Sequence, residues 1–217
     1  MDNFLLRSAE CSNVTGVQWD RFFDDLEDQL AAQYEAERAA LDSETERLRL
    51  SRMPFRDRLT SLIGRERHHN APGFALADGS VLSAEVTGLG VDWVAVEPVE
   101  RPGHGVIVPM GAIVAVTLSQ QDLLHSARPL SSSASALSER ITFGFVLRDL
   151  VRRRAPVSVH LRAGTSLTGT IDRAGSDHFD IALHDRGAPR RSSDVSGYRL
   201  VPLDAVVWVR LDGSSPT

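Results

Sequence analysis

Three side chains towards the C-terminus have the types and spacing of a metal site. His178, Asp180 and His184 lie at even spacing, so a regular β-strand places them on one face. Two imidazoles and a carboxylate form a ligand set that zinc accepts. The opposite face is apolar, which favours a solvated outer face; its residues are Phe179, Ile181 and Leu183. We therefore expect no bound metal and no cofactor, and a metal-dependent activity is the minor alternative.

Arginine clusters are the second candidate for chemistry, because guanidinium groups bind phosphate through paired hydrogen bonds. All 24 basic residues are arginine. A nucleic acid, RNA above all, would fit a surface of such clusters, and so would an acidic protein partner or the acidic N-terminal part of the chain. The remaining interpretation is a solvated helix end and loop. The residues concerned are Arg152, Arg153, Arg154, Arg190, Arg191 and Arg199.

Motifs of the common enzyme classes are missing from the sequence. It has no nucleophile elbow, no glycine-rich phosphate loop before a helix and no paired carboxylates in a plausible pocket. The absence of lysine removes Schiff-base chemistry. The single cysteine, Cys11, excludes an internal disulfide and a cysteine-based zinc site. We therefore expect a protein that is not an enzyme.

The N-terminal part is predicted to form a long amphipathic helix over residues 19–52, because apolar residues recur there at spacings of three and four. Pro54 breaks the pattern. Such a helix either docks on a domain of the same chain or binds another chain, as in a hairpin or a coiled coil. The candidate partner-binding residues are Trp19, Phe22, Phe23, Leu26 and Leu30.

Charge is arranged in blocks within the overall net charge of -5. Residues 1–46 have a net charge of -9, residues 47–69 one of +5 and residues 126–217 one of +4. The acidic block could pair with the arginine-rich blocks or with partners. The first residues have no basic start and no long apolar run, and no window approaches a membrane span. We expect no signal peptide, no membrane contact and a cytoplasmic location.

The rest of the chain contains an internal repeat of one helix and about five short strands. Residues 76–96 match residues 161–181 at a separation of 85 positions, as Leu76 and Leu161 do. The closing strands, 108–116 and 201–209, match at a separation of 93. Gly164 in a tight hairpin and Gly169 in mid-strand indicate sharp bending. Short, bent antiparallel strands of this kind predict a small barrel.

Three segments of the second copy carry a more specific pattern, VHLRAGTSLTGTI at 159–171, DHFDIAL at 177–183 and VPLDAVVWV at 201–209. They form an apolar-x-Leu-x-x-Gly-x-x-apolar-x-Gly-x-apolar motif, a strand led by aspartate and a closing strand pair. In this pattern the second copy resembles the Sm-like family, which includes the bacterial Hfq proteins. The resemblance covers residues 137–211 well and 55–117 weakly. It implies a helix followed by a five-stranded barrel in each copy.

The RNA-contacting residues of that family are not matched in this chain. The family uses an Asn near the end of the first motif and an Arg-Gly or a Tyr-Lys-His in the second. Here those positions hold Asp180 and Leu203-Asp204, and in the first copy Ala95 and Met110-Gly111. The resemblance therefore transfers no RNA pocket to this chain.

Together these patterns predict an α+β fold with a long N-terminal helical arm and two tandem helix-plus-five-strand small β-barrel modules, Sm-like or SH3-like. The leading hypothesis is a non-catalytic cytoplasmic binding or scaffold protein whose arm mediates self-association or partner binding. The alternative is an RNA-binding regulatory protein that uses the arginines of the second barrel. The expected divisions are a loose leader at 1–16, the arm at 17–53, modules at 54–118 and 137–211, a Ser-rich linker at 119–136 and a tail at 212–217.

Overall fold

The computed structural model describes residues 11–64, 71–129, 140–185 and 193–211, with side chains from residue 22 onward. These residues form a long N-terminal helix and a ten-stranded antiparallel sheet with short helices, which confirms the mixed α+β class. The chain divides into two compact units, Met1–Met53 and Pro54–Thr217. Among the described residues, no helix is both long enough and apolar enough to cross a membrane.

The first unit contains helix α1 (Cys11–Ser51). Alanine, glutamate and arginine are frequent in it, and these residues have high helix propensity. The sequence predicts a loose leader over 1–16, but residues 11–16 are helical and this expectation is wrong for them. No proline interrupts that stretch, and each residue added to an existing helix gains one backbone hydrogen bond.

The described residues of the second unit form three α-helices and ten strands. Its first half comprises α2 (Phe55–Thr60), β1 (Gly73–Leu76), β2 (Val81–Leu89), β3 (Trp93–Pro98), β4 (Val106–Pro109) and β5 (Ile113–Thr117). After α3 (Gln120–Ser126), the second half comprises α4 (Phe143–Arg153), β6 (Pro156–Leu161), β7 (Ser166–Ala174), β8 (His178–Leu183), β9 (Gly197–Pro202) and β10 (Val206–Leu211).

The ten strands form one sheet in the order β5-β1-β2-β3-β4-β10-β6-β7-β8-β9. Each half contributes the same internal order, its fifth strand beside its first and its fourth strand last. The halves join where β4 pairs with β10. The sheet is open and ends at β5 and β9, so what the structure establishes is two successive groups of five strands.

The strand registers of the two halves are the same. Phe74 pairs with Leu82 in the first half, and Val159 pairs with Leu167 at the matching positions of the second. The register shift in β2, between Val86 and Gly88, recurs in β7 between Ile171 and Arg173. A bulge bends a strand and increases its twist, so both halves bend at the same place.

Two hydrophobic cores lie in the second unit, and the strands at the join contribute to both. The first core includes Phe74, Val94 and Val96 together with Val207 and Trp208 of β10. The second core is built around Phe143, Leu147, Phe179 and Ile181, and it includes Ile107 of β4. Because each half supplies side chains to the other's core, we expect the two halves to unfold together.

Helix α3 lies within the segment predicted to be a Ser-rich linker. Ser119 caps it by accepting a hydrogen bond from the Asp122 amide. Arg58 of α2 donates to Ser126 Oγ at 2.8 Å and to the Leu123 carbonyl at 2.9 Å. Residues 120–126 of the predicted linker are therefore helical, and a capping serine and a long-range arginine hold them; residues 130–136 of that linker lie outside the described residues.

Candidate interaction surfaces

The arm exposes large apolar side chains along one helix. Phe22, Phe23, Leu26 and Leu30 are all exposed, and the rings of Phe22 and Phe23 meet edge to face with centroids 5.9 Å apart. The side chain of Trp19 lies outside the described part of α1. Exposed apolar residues continue at seven-residue spacing further along the helix, at Tyr34, Leu41 and Leu48. This seven-residue spacing can be read from the sequence, and it extends the predicted surface from Leu30 to Leu48, which is about five helical turns.

Charge changes sign along the arm. Four acidic residues lie at positions 24–28, whereas arginines lie at positions 47, 49 and 52. Arg49 forms an ion pair with Glu46 at 2.6 Å, and this hydrogen bond holds the pKa of the Glu46 carboxyl below its ordinary value. Glu46 is exposed and Arg49 is partly exposed, so the pair contributes little to stability. The arm thus has an acidic first half and a basic end.

Two of the predicted arginines are paired within their own helix. Arg152 and Arg153 both form ion pairs with Asp149, one turn earlier in α4. The hydrogen bond from Arg152 is the main reason why the pKa of the Asp149 carboxyl is lowered. The spacing of three and four residues is typical of helix ion pairs and could have been read from the sequence. Arg154 follows as the left-handed C-cap residue of α4, with φ of 49°.

Of the three remaining predicted arginines, the structure describes only Arg199. Arg190 and Arg191 lie outside the described residues. Arg199 lies on β9, where it lines an open groove of about 360 Å³ across the outer strands β7, β8 and β9. The lining of this groove does not include the α4 arginines.

The groove combines charged, aromatic and apolar side chains. Arg173 lies opposite Asp180 on neighbouring strands, and Tyr198 and Leu200 of β9 are both exposed. Sequence patterns do not indicate Arg173 and Leu200 as site residues, because their proximity depends on the pairing of β7, β8 and β9. The complete lining comprises Asp172, Arg173, Asp180, Tyr198, Arg199 and Leu200.

The three residues of the considered metal site do not form a ligand cluster. His178 is exposed and its ring donates to Asp177 at 2.7 Å, which lowers the pKa of the Asp177 carboxyl. His184 is buried and hydrogen-bonded to Thr170 at 2.8 Å. Asp180 lies in the groove with Arg173. Within the described ranges, no group of three or more His, Cys, Asp or Glu side chains could hold a metal ion.

His184 has surroundings that the sequence does not indicate. Its Nδ1 lies 3.0 Å from the Asp185 carbonyl, which can only accept a hydrogen bond. In the neutral ring Nδ1 therefore carries the hydrogen, and Nε2 accepts from the Thr170 hydroxyl. Thr170 and His184 are both buried. The hydrogen bond between them gives each of these buried polar groups a partner, so we assign the pair a structural role.

A second buried polar feature lies where the two halves meet. The Trp208 indole of β10 stacks on His160 with ring centroids 3.5 Å apart and donates to Asp78 Oδ2 at 3.2 Å. Partial burial alone would raise the pKa of Asp78, but hydrogen bonds from Ser80 and Trp208 outweigh it and lower the pKa. Trp208 therefore ties β10 to the turn that follows β1.

No protein-family model matches this chain, and no curated protein matches it.

Proposed function

We propose that this protein is a non-catalytic scaffold, in which the arm joins two copies of the chain and the second unit consists of two tandem Sm-like barrel modules. The observation that carries the proposal is the exposed apolar row on α1, which runs from Phe23 to Leu48. A helix that is mostly polar is only marginally stable in isolation. It is usually stabilised when such a row of apolar residues is buried against a second helix.

The charge pattern of the arm favours a second copy in antiparallel orientation. Placing Tyr34 near Leu41 of the other helix also places Leu26 near Leu48, so the apolar residues face each other. The same alignment sets the acidic residues at 24–28 beside the arginines at 47–52. A parallel alignment would instead set acid beside acid, which is unfavourable on neighbouring helix surfaces.

The barrel part of the proposal rests on the repeated strand order and registers. Both halves have a helix before their first strand, a bulge in the second strand and a 3₁₀ turn between the fourth and fifth, at Met110–Ala112 and Leu203–Ala205. Strong bending at matching bulges is what a small barrel requires. A pair of such modules gives the arm a rigid body to join to another copy.

Measuring the mass of the full chain in solution tests the arm. Leu30→Glu places a carboxylate in the apolar row, and Ala32→Glu adds the same charge on the opposite side of the helix, so it serves as the matched control. We expect Leu30→Glu to raise the dissociation constant of the arm pair at least tenfold and Ala32→Glu to leave it unchanged. Equal behaviour of the two variants would contradict the proposal.

Salt tests the orientation of the pair. In the antiparallel alignment opposite charges face each other, so raising the salt concentration should weaken association. In a parallel alignment like charges face each other, and added salt should strengthen it. An association that becomes stronger with salt would therefore refute the antiparallel arrangement while leaving the apolar row as the interface.

The groove supports RNA binding as a second candidate function. It sets the exposed ring of Tyr198 beside Arg173 and Arg199, and stacking on an aromatic ring next to cations is how single strands are bound without sequence preference. We expect binding of a single-stranded oligonucleotide to weaken steeply with salt and to be lost in Tyr198→Ala. Binding that Tyr198→Ala leaves unchanged would remove the groove as its site.

A further inference from the structure

The start of the arm extends beyond the part that the arm of a second copy covers. In the antiparallel alignment that sets Tyr34 near Leu41 of the other copy, Ser51 at the end of α1 lies beside Asp24. Residues 11–23 therefore have no counterpart on the partner's arm, and we call them the overhang. At 1.5 Å per residue, the overhang extends about 20 Å past the point where the partner's arm ends.

The overhang carries aromatic side chains that pairing of the arms leaves uncovered. Phe22 is 51% exposed and Phe23 is 56% exposed. Phe22 also lies about 100° around the helix from Phe23, and so to one side of the apolar row. The alignment sets no residue of the partner's arm beside either ring. Because aromatic residues are enriched at protein interfaces, these two rings point to a further contact beyond the end of the arm.

The second unit exposes apolar side chains on the helices that follow the arm in the chain. α2 begins four positions after Ser51 with Phe55, which is 46% exposed. Arg58, one turn further along α2, holds α3 through the Leu123 carbonyl. α3 in turn exposes the side chains of Leu123 and Leu124. We call Phe55, Leu123 and Leu124 the α2–α3 surface.

We propose that the overhang of one copy docks on the α2–α3 surface of a second copy, an inference that rests on the proposed pairing of the arms. Four extended residues span at most about 14 Å, so the start of α2 lies no further from Ser51 than the overhang extends. Phe22 of one copy then packs on Leu123 and Leu124 of the other. The two-fold symmetry of the pair repeats this contact with the roles of the copies exchanged.

Charge complementarity favours a second copy as the occupant of this surface. Residues 20–28, around the end of the overhang, contain five acidic residues and one arginine. Residues 52–58, which lead from the arm into α2, contain three arginines and one aspartate. The antiparallel alignment brings these two oppositely charged segments of different copies to the same end of the pair. Opposite charges on facing surfaces favour the correct partner and the correct register.

A double-mutant cycle in the full chain tests the contact, with the dissociation constant of the pair measured by sedimentation. We expect Phe22→Ala and Leu124→Ala each to raise this constant about fivefold to tenfold. The double variant should be no weaker than the weaker single variant, because either change alone removes the same contact. Leu50→Ala on α1 and Val81→Ala on β2 are the matched controls, since both side chains are exposed and lie outside the proposed contact. Effects that multiply in the double variant, or equal losses in the controls, would overturn the inference.

Cross-linking between two different chains shows directly whether the contact joins copies. Cys11 is the only cysteine, so Cys11→Ser gives a background without thiols. One chain then carries Gln18→Cys, one turn before Phe22, and a tagged chain of larger mass carries Gln121→Cys, one turn before Leu124. A short bismaleimide should join the two chains after mixing, and it should not do so when Val81→Cys replaces Gln121→Cys. No product with Gln121→Cys, or an equal yield with Val81→Cys, would overturn the inference.

Failure of the docking and failure of the arm pairing give different results. If the unsubstituted chain is a single copy in solution, the arms do not pair and the docking inference falls with them. If Leu30→Glu separates the copies but Phe22→Ala and Leu124→Ala leave the dissociation constant unchanged, the arms pair and only the docking is wrong.

Discussion

Replacing Asp92 with alanine should weaken the attachment of the second half of the sheet to the first. Asp92 Oδ1 accepts a hydrogen bond from the Phe143 amide at 2.7 Å, at the start of α4. The first amides of a helix have no partner within the helix, and a carboxylate placed there is favoured by the helix dipole. Two further hydrogen bonds, from the Val91 amide and the Trp93 indole to the Ile141 carbonyl, hold the same segment.

The expected loss of stability in Asp92→Ala follows from the type of this hydrogen bond and from the exposure of Asp92. Hydrogen bonds to charged groups contribute about 1.5–3 kcal/mol, and exposure of Asp92 places this one at the lower end. We expect Asp92→Ala to lower the free energy of unfolding by about 1–2 kcal/mol. For a unit of this size, that corresponds to a fall in Tm of about 2–8 °C.

The repeat supplies the control for this prediction. Asp177 occupies the position of Asp92 in the second half, but its described hydrogen-bond partners are His178 and Ser176 and not a helix N-terminus. Urea and thermal denaturation should therefore show Asp177→Ala within about 0.5 kcal/mol of the unsubstituted protein, as is usual for exposed positions. Equal losses in Asp92→Ala and Asp177→Ala would refute the reasoning, and Asp92→Asn should recover part of the loss because its amide oxygen can still accept.

Three further predictions concern contacts within the second unit. Gly169→Ala should lower the free energy of unfolding, measured by urea denaturation, by about 1–3 kcal/mol, because an added methyl group overlaps a carbonyl of β8. An unchanged denaturation midpoint would contradict this. Trp208→Phe should lower the free energy of unfolding at pH 7 by about 0.5–1.5 kcal/mol, because the hydrogen bond to Asp78 is lost. The pKa of Asp78 in the folded protein lies below its ordinary value of about 4, so the ionised carboxylate stabilises the fold above that pH. The stability lost in Trp208→Phe should therefore become smaller as the pH falls through the folded pKa of Asp78. A loss that does not depend on pH would argue against a role for this carboxylate. Arg58→Ala should speed amide hydrogen exchange in α3 about tenfold without affecting β8, whereas unchanged exchange in α3 would show that other contacts hold it.

Local patterns in the sequence were sufficient to predict the long helix and the repeated strands. The amphipathic spacing predicts α1, and the separations of 85 and 93 positions predict matching strands, which the structure places in matching registers. These features depend on residues that are close in the chain or repeated along it, so periodicity reveals them. The exposed residues of the arm belong to the same class, because an apolar row on a polar helix is visible in the order of residues alone.

The candidate site in the sheet was only partly predictable. Arg199 is visible as a basic residue, but the groove that it shares with Arg173 and Tyr198 requires three strands to pair. The alternation in β8 predicts a solvated face for His184, yet this side chain lies beyond the strand end and is buried against Thr170. Alternation identifies the two faces of a strand but not what covers each of them.

The sequence by itself determined the long helix, the positions of most strands, the duplication and the blocks of charge, because each is encoded in residues within a few turns or one repeat of each other. Only the tertiary structure decided that β4 pairs with β10, that the two cores share side chains across this join and that β5 and β9 remain open. Either half presents the same kinds of edge strand, so the pattern of residues cannot tell which edges meet. That choice depends on the burial and main-chain hydrogen bonding of residues about a hundred positions apart.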